Sequence, residues 1–257
     1  MAANTAGRLD GKVAIVTGGA GGFGKAIAKR FLSEGCKVII GDLNESLGES
    51  AIKELDSSNV RFEKMNVAEE DDWRRVVDGV IDNWKRLDII VNNAGVTYKN
   101  KPTLDVTAAE FQRVFDVNVK SIFWSVHVAI PQMQKLGNGG SMINISSIGS
   151  VRPRPGLVWY NSSKGAVTNA TKGLAAEFGK DQIRVNAIAP LLSGTALFSS
   201  FVGVEDTEEN RKQFTAAVPL GRLTEPLDVA NACLFLASDE GKFINGVNLE
   251  VDGGKGI

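Results

Sequence analysis

Cysteine is scarce in this chain of 257 residues, where Cys36 and Cys233 stand alone and far apart. Two isolated cysteines are too few for a disulfide framework and lack the paired spacing of a zinc site, so no metal centre is expected. Hydrophobic runs long enough to span a bilayer are also absent, as is the basic and apolar leader of a secretory signal. We therefore expect a cytoplasmic protein without a membrane partner.

An excess of charge of either sign is absent as well. The chain has 29 Lys and Arg against 30 Asp and Glu, with a single histidine. Such a balance provides no electrostatic reason to expect nucleic acid as a partner. The apolar fraction of 43% is that of an ordinary globular protein, and the length fits one large domain over residues 1–257. Glycine is plentiful, with 28 residues that cluster at expected turns.

Short β-branched runs alternate with amphipathic segments along the chain. Strands are predicted at 12–17, 37–42, 60–66, 87–92, 140–146, 183–188 and 246–251. Helices are predicted at 23–34, 45–55, 69–85, 107–136, 160–179 and 226–237. Strands joined by helices of crossover length predict an α/β fold, a Rossmann-type doubly wound parallel sheet of about seven strands with helices on both faces. Residues 1–10 lack any pattern and are predicted to be a loose tail.

Residues 191–218 interrupt this alternation. The connection is long and combines Phe198, Phe201 and Phe214 with glycine, threonine and acidic residues. Long connections that leave the carboxyl end of a strand often close over a ligand, so we predict a substrate lid. A surface excursion with its own short helix is the alternative.

A glycine-rich run follows the first predicted strand and opens the first helix. Backbone N–H groups at a helix start bind phosphate, and glycine lets the phosphate approach closely. The run fits two dinucleotide-binding patterns, one through Gly19, Gly21 and Gly24 and one through Gly18, Gly22 and Gly24. The predicted cofactor contacts in this turn are Gly18, Gly21, Gly22, Phe23 and Gly24.

Asp42 ends the second predicted strand, where an acidic residue accepts hydrogen bonds from the adenosine ribose. A carboxylate at this place repels a 2′-phosphate, and no lysine or arginine occupies the glycine turn or positions 41–45. The sequence therefore predicts NAD(H) as the preferred cofactor and NADP(H) as the alternative. A solvated residue at the strand end is the other interpretation of Asp42.

Tyr160 and Lys164 are four residues apart in a predicted helix and so share one face. A free phenol has a pKa of about 10, and a nearby ammonium group lowers that value toward neutral pH, where acid/base catalysis is most effective. Ser147 supplies a hydroxyl upstream. A packed ring beside a solvated amine is the alternative interpretation.

Taken together, these residues resemble the short-chain dehydrogenase/reductase family over residues 10–254. The resemblance also includes Asn92-Asn-Ala-Gly95, Asp-Val-Asn-Val around Asn118, Asn-Ile-Ser-Ser ending at Ser147, Asn186 to Pro190, and Asp252-Gly-Gly. It implies a catalytic tetrad of Asn118, Ser147, Tyr160 and Lys164. Tyr160 would exchange a proton with the substrate oxygen, which Ser147 would fix. Lys164 would lower the phenol pKa and bind the nicotinamide ribose, and Asn118 would hold a water.

The resemblance implies further cofactor contacts along the carboxyl ends of the strands. They are Asn66, Val67, Asn93, Ala94, Gly95, Tyr160, Lys164, Pro190 and Thr195. The family commonly has an aspartate where this chain has Asn66, and an amide oxygen can accept the same bond from adenine. The family usually has a glycine where this chain has Leu191, which lies beside the expected nicotinamide site.

The function implied is an NAD(H)-dependent oxidoreductase that interconverts a secondary alcohol and a ketone, acting as a homotetramer on a small molecule. An NADPH-dependent 3-oxoacyl-thioester reductase and a non-enzymatic nucleotide-binding regulator are the alternatives. Between Ser147 and Tyr160, the run from Arg152 to Pro155 favours a rigid exposed loop. Contact with an anionic substrate is the alternative interpretation of these arginines.

Overall fold

The protein's computed structural model describes residues 6–194 and 198–257, apart from the side chains of residues 198 and 199. The described residues form seven strands: β1 (Val13–Thr17), β2 (Lys37–Asp42), β3 (Val60–Lys64), β4 (Ile89–Asn92), β5 (Gly140–Ile145), β6 (Ile183–Pro190) and β7 (Asn248–Val251). They pair in parallel as one sheet in the order β3-β2-β1-β4-β5-β6-β7.

Helices cover both faces of the sheet. They are α1 (Gly22–Leu32), α2 (Glu45–Leu55), α3 (Glu70–Trp84), α4 (Ala108–Phe115), α5 (Ser121–Leu136), α6 (Val158–Phe178), α7 (Phe198–Val202), α8 (Glu208–Thr215) and α9 (Pro226–Ala237). Buried residues of α1, α2 and α9 pack in one core cluster, and buried residues of α3, α5 and the C-terminal part of α6 pack in another. The predicted doubly wound α/β fold is therefore confirmed.

Strand β1 illustrates why these runs form central strands. Every residue of the strand is buried, with Val13 and Ile15 in the core cluster of α3 and with Ala14 and Val16 in that of α1. β-branched side chains suit a strand that is covered on both faces, as parallel strands are. On the α1 side, Phe31 is fully buried, which contributes about 1.5–3 kcal/mol.

The predicted helix at 107–136 contains an irregularity that the periodicity did not indicate. A π-helical turn over Asp116–Lys120 joins α4 to α5. Turns of this kind occur inside helices mostly at functional sites. Here the turn carries Asn118.

The tail predicted over residues 1–10 is packed, not loose, from Gly7 onward. The Leu9 side chain is fully buried in the core cluster of α1, and its N–H donates to the Glu34 carbonyl at 3.0 Å. The Arg8 N–H donates to the Glu34 carboxylate at 2.9 Å. One apolar residue with a place in the core is enough to fix this short segment, and a periodicity search does not detect it. In the described part of the chain, no helix is both long and apolar enough to cross a membrane.

The strand order places a crevice where ligands bind in such sheets. The chain runs outward from β1 to β3 and then returns to β4, which pairs with β1 on its other side. At such a reversal the loops after the two central strands separate and leave a crevice at the carboxyl ends. The glycine turn follows β1 and the Asn93 loop follows β4, so both border this crevice.

Candidate active site

The glycine turn is held by the loop that follows β4. Thr17 Oγ1 accepts hydrogen bonds from the N–H groups of Asn93 at 3.0 Å and Ala94 at 3.1 Å. The Asn93 amide nitrogen donates to the carbonyl oxygens of Thr17 at 2.8 Å and Gly18 at 3.1 Å. Asn93 and Ala94 therefore fix the shape of the turn. Gly18 and Gly22 have φ of +61° and +51°, which favours glycine over other residues.

The start of α1 is suited to an anionic ligand. Its N-cap residue, Gly21, makes no side-chain cap, and the first turn contains no acidic residue. The first N–H groups of a helix lack partners within the helix, so they are available to a phosphate. At Gly24 a Cβ would lie 2.1 Å from the Gly18 carbonyl oxygen, so this glycine lets α1 and the turn pack together.

A cavity of about 850 Å³ extends from this turn to Tyr160. Predicted site residues line it along its whole length, with three exceptions: Gly24 and Asn118 lie behind its wall, and Thr195 lies outside the described residues. An uncapped helix start at one end of a long cavity and acid/base side chains at the other fit a dinucleotide whose reactive ring reaches Tyr160.

At the end of the cavity predicted to hold adenosine lie Asp42, Asn66 and Val67. The Asp42 carboxylate accepts hydrogen bonds from the Ala20 N–H at 3.2 Å and the Asn44 N–H at 3.0 Å, which hold it at the end of β2. Asn66 Oδ1 accepts from the Ala68 N–H at 3.1 Å. Because an amide oxygen has two lone pairs, one remains for a ligand donor.

The two serines after β5 have different surroundings. Ser146 is buried, and its hydroxyl contacts Thr168 Oγ1 at 2.8 Å and the Lys164 carbonyl at 3.2 Å. Ser147 lines the cavity, and its Oγ accepts from the Gly149 N–H at 3.1 Å. Ser147 also forms a side-chain hydrogen bond to Tyr160 that lowers the pKa of the phenol. The geometry thus places Ser147, not Ser146, beside the phenol.

The electrostatics around Tyr160 differ from the sequence-based expectation. Burial raises the pKa of Tyr160 to about 12, and this effect exceeds the lowering by Ser147 and by the charge of Arg154. The lowering of the phenol pKa by Lys164 stays a prediction. The Nζ atom of Lys164 lies 5.9 Å from the centroid of the Tyr160 ring and donates to the Ile145 carbonyl at 2.8 Å. Burial also lowers the pKa of Lys164 to about 8.

Asn118 is 1% exposed, and both polar atoms of its side chain have protein partners. Oδ1 accepts from the Val96 N–H at 2.8 Å, and Nδ2 donates to the Val96 carbonyl and to Ser163 Oγ, both at 3.0 Å. The side chain therefore joins the π-helical turn to the loop after β4 and to α6. This geometry fits a residue that positions the loop at Gly95, and the water-holding role stays a prediction.

The end of the cavity predicted to hold the nicotinamide is bordered by the last residue of β6 and the residue after it. Pro190 and Leu191 both line the cavity, and the Leu191 N–H donates to the Val251 carbonyl at 3.1 Å. That bond continues the pairing of β6 with β7 by one residue. The backbone at Leu191 is therefore ordered by the sheet edge despite the departure from glycine.

Two helices of the segment predicted to be a lid, α7 and α8, each place an aromatic residue at the cavity. The Phe201 ring lies edge-on to the Tyr160 ring with a centroid distance of 5.0 Å, and Phe214 also lines the cavity. Phe198 is the third predicted lid aromatic, and its side chain lies outside the description.

Arg154 is a candidate functional residue, although the sequence favoured a rigid exposed loop at this position. The run from Arg152 to Pro155 is largely exposed, as predicted, but it also lines the cavity. The guanidinium of Arg154 donates to the Phe201 carbonyl at 2.8 Å. The sequence does contain a feature that indicates this role. Two arginines alternate with two prolines shortly before the helix of Tyr160.

Comparison with known proteins places this geometry in a family. A family model described as "Enoyl-(Acyl carrier protein) reductase" matches residues 18–255. The chain is 48% identical to 4-formylbenzenesulfonate dehydrogenase of Comamonas testosteroni over 251 residues, which cover 97% of this chain and 99% of that protein. The chain belongs to the short-chain dehydrogenase/reductase family.

Other relatives in the short-chain dehydrogenase/reductase family agree over nearly the full length. The NADP-dependent (R)-specific alcohol dehydrogenase of Lentilactobacillus kefiri is 38% identical over 96% of this chain and 97% of its own. A crystal structure of 3-ketoacyl-(acyl-carrier-protein) reductase from Brucella melitensis, complexed with NADH, is 36% identical with a TM-score of 0.91. It covers 97% of this chain and 100% of its own.

As a short-chain dehydrogenase/reductase, the protein is an oxidoreductase that acts on CH–OH groups and binds a nicotinamide cofactor. The predicted family, fold and enzyme class are thereby confirmed, and the non-enzymatic alternative is set aside.

Proposed function

We propose that the protein interconverts a secondary alcohol and a ketone with NAD(H). The observation that carries this proposal is the position of Ser147, Tyr160 and Lys164 at one end of a cavity that begins at the glycine turn. A nicotinamide bound there supplies or accepts the hydride. The side chains of the protein have to orient the substrate oxygen and move one proton.

Tyr160 is the proton-transfer group in this proposal. A pKa raised to about 12 keeps the phenol protonated at neutral pH, ready to donate to the alkoxide that forms during ketone reduction. Alcohol oxidation needs the phenolate instead, so its rate should rise with pH. Ser147 hydrogen-bonds the same substrate oxygen and fixes its place. Lys164 holds the nicotinamide ribose through the ammonium group.

Tyr160→Phe tests the assignment, because it keeps the ring in the core and removes only the hydroxyl. We expect turnover of ketones and secondary alcohols to fall by at least about 100-fold, since a general acid/base contributes about that much or more. NADH binding, followed by the fluorescence of the reduced nicotinamide, should stay close to the wild-type value. Turnover at the wild-type rate would refute the role of Tyr160.

Asp42 supports the preference for NAD(H). The carboxylate is fixed by the N–H groups of Ala20 and Asn44, so it stays where a 2′-phosphate would have to bind. Two like charges at short distance repel, and the site offers no cation from the glycine turn to compensate. The ratio of kcat/KM for NADH to that for NADPH measures this, and Asp42→Asn should shift the ratio toward NADPH. A higher kcat/KM with NADPH in the unchanged protein would refute the preference.

A 3-oxoacyl-thioester reductase is the second candidate. The 0.91 TM-score to a 3-ketoacyl-(acyl-carrier-protein) reductase favours it, and because that structure contains NADH, a preference for NADH does not argue against it. An acetoacetyl thioester and a cyclic ketone, compared under identical conditions, separate the two functions. Faster turnover of the thioester would favour this second candidate.

We further propose a homotetramer. Apolar side chains are exposed on α4, α5 and α6, where Phe111, Phe123 and Trp159 are 36%, 48% and 36% exposed. Phe243, just before β7, is fully exposed. Light scattering on the purified protein measures the mass directly, and a monomeric mass would refute this assembly.

A further inference from the structure

The charged side chains that line the cavity are unevenly distributed by sign. They are Asp42, Arg152, Arg154, Lys164 and Lys255. Asp42 lies beside the glycine turn at the end of β2, away from Tyr160 in the fold. Within the described residues, the substrate end therefore carries cations and no carboxylate.

Arg154 is one of the cations in this group whose surroundings leave the charge uncompensated. It is half-buried, and among the described residues it forms no ion pair. Residues 1–5 and 195–197, which lie outside the described residues, contain no Asp or Glu that could pair with it. The hydrogen bond that its side chain makes within the described chain goes to a neutral acceptor, the Phe201 carbonyl. Buried charges in proteins are normally paired, because desolvation disfavours an isolated one. Burial accordingly lowers the pKa of Arg154.

The position of this guanidinium is fixed next to the reacting group. The backbone carbonyl of Arg154 accepts a hydrogen bond from Asn161 Nδ2 at 3.1 Å, and Asn161 follows Tyr160 in α6. The charge of Arg154 reaches the phenol, because it lowers the pKa of Tyr160. The Phe201 carbonyl that accepts from Arg154 belongs to the residue whose ring lies against Tyr160.

The walls around these groups are apolar. Phe201, Leu157, Pro153 and Leu191 line the same end of the cavity. A guanidinium has five N–H groups in a planar fork that matches a carboxylate or a sulfonate. One donates to the Phe201 carbonyl, which leaves the rest of the fork for a ligand.

We propose that the substrate is an apolar alcohol or ketone that carries a carboxylate or sulfonate group, and that Arg154 binds this anionic group while Tyr160 acts on the oxygen. This inference rests on the proposed function, since it assigns the substrate class of the same site. It makes Arg154 a specificity-determining residue. A neutral substrate of the same shape leaves the guanidinium unpaired and binds less tightly.

A purely structural role for Arg154 makes a different prediction. The Phe201 carbonyl also accepts from Asn100 Nδ2 at 3.2 Å, so Arg154 and Asn100 together could serve only to hold the lid in place. A lid contact affects charged and neutral substrates alike. An anion-binding role affects the charged substrate selectively.

The test uses 4-acetylbenzoate, 4-acetylbenzenesulfonate and the neutral 4-acetylbenzamide as ketone substrates of the full-length protein with NADH. The measured quantity is kcat/KM of each anionic ketone divided by that of the amide. In Arg154→Gln we expect this ratio to fall about 10- to 100-fold, because a charge-assisted pair is replaced by a neutral one. Arg154→Lys should restore part of it, and the two anions show whether carboxylate or sulfonate fits better.

Arg152→Gln is the matched control, since it removes an equal charge two residues away. The guanidinium of Arg152 donates to the Lys255 carbonyl oxygen at 2.6 Å and to a main-chain oxygen of Ile257 at 2.9 Å, so its loss should change the ratio far less. A ratio that does not change in Arg154→Gln, equal losses for all three ketones, or an equal fall in Arg152→Gln would each overturn the proposal. So would a wild-type protein that does not prefer the anions.

A binding measurement distinguishes failure of the proposed function from failure of the anion site. If no ketone is turned over, the alcohol/ketone function fails, and calorimetry of benzoate and benzamide binding to the protein with NADH decides the anion site alone. Tighter binding of benzoate that is lost in Arg154→Gln supports the site. Equal binding of benzoate and benzamide refutes it.

Discussion

The buried ammonium group of Lys164 is expected to make the protein more stable as pH rises from about 8 to 10.5. Burial lowers the pKa of Lys164 from 10.5 to about 8. Below pH 8 the amine is protonated in both the folded and the unfolded chain, so the folded state bears the full penalty of burying a cation. Above pH 8 the unfolded chain binds more protons than the folded one, and the free energy of unfolding therefore increases with pH until about 10.5.

The size of the effect follows from the same shift in pKa. A drop from 10.5 to about 8 corresponds to about 3 kcal/mol. That is a large fraction of the roughly 5–15 kcal/mol by which domains are stable. The hydrogen bond from Lys164 Nζ to the Ile145 carbonyl persists in the neutral amine but is weaker there, so it opposes the effect of burial without cancelling it.

Denaturant unfolding of the wild type and Lys164→Met, at equal protein concentration from about pH 7 to 10.5, measures the effect. Methionine retains an unbranched chain without the charge, and groups that titrate in both proteins cancel in the difference. We expect the wild type to gain about 3 kcal/mol relative to the variant over this range. Lys172→Met, an exposed lysine of the same helix, should show no such change. A difference between wild type and Lys164→Met that is independent of pH would refute the assignment of a depressed pKa to Lys164.

Three further outcomes are expected. Gly24→Ala should unfold at a lower temperature, because its Cβ would meet the Gly18 carbonyl. Gly21→Ala should keep the melting temperature, because its Cβ meets open space, and it should bind NADH more weakly. Equal melting temperatures for both variants would contradict this. Ser147→Ala should lower kcat by about 100-fold or more, while Ser146→Ala should mainly lower thermal stability. A larger loss of kcat in Ser146→Ala than in Ser147→Ala would exchange the roles of the two serines. Leu191→Gly should change the relative kcat/KM of different ketones more than the Kd of NADH, and equal changes in both would contradict a substrate-facing role.

The parts of the site that the sequence predicted well depend on local rules. The glycine turn needs positive φ at Gly18 and Gly22 and a helix start without a cap, and both requirements are visible in the residues themselves. The spacing of Tyr160 and Lys164 likewise fixes one helical face. The strands were predicted within two residues at each end because β-branched runs bounded by glycine have few alternatives in an α/β chain.

The electrostatics could not be predicted in the same way, because they depend on burial and on contacts between distant segments. Spacing alone suggested that Lys164 lowers the pKa of Tyr160. In the folded chain the lysine lies near the Ile145 carbonyl, and desolvation of the ring dominates. Arg154 acts on the phenol because a hydrogen bond to Phe201 and the loop geometry bring it there. No periodicity in the sequence contains that information.

The two cations near Tyr160 connect the stability of this protein to its ligands. Lys164 is almost fully buried with one neutral acceptor, and Arg154 is half-buried with another, so each is less well solvated than in the unfolded chain. Ribose hydroxyls at Lys164 and a substrate anion at Arg154 would supply the oxygen acceptors that the protein itself provides only in part. Ligands that bind only the folded state stabilise it in proportion to their affinity. We therefore expect the two residues whose burial costs the folded protein stability, Lys164 and Arg154, to contribute most to the binding of cofactor and substrate.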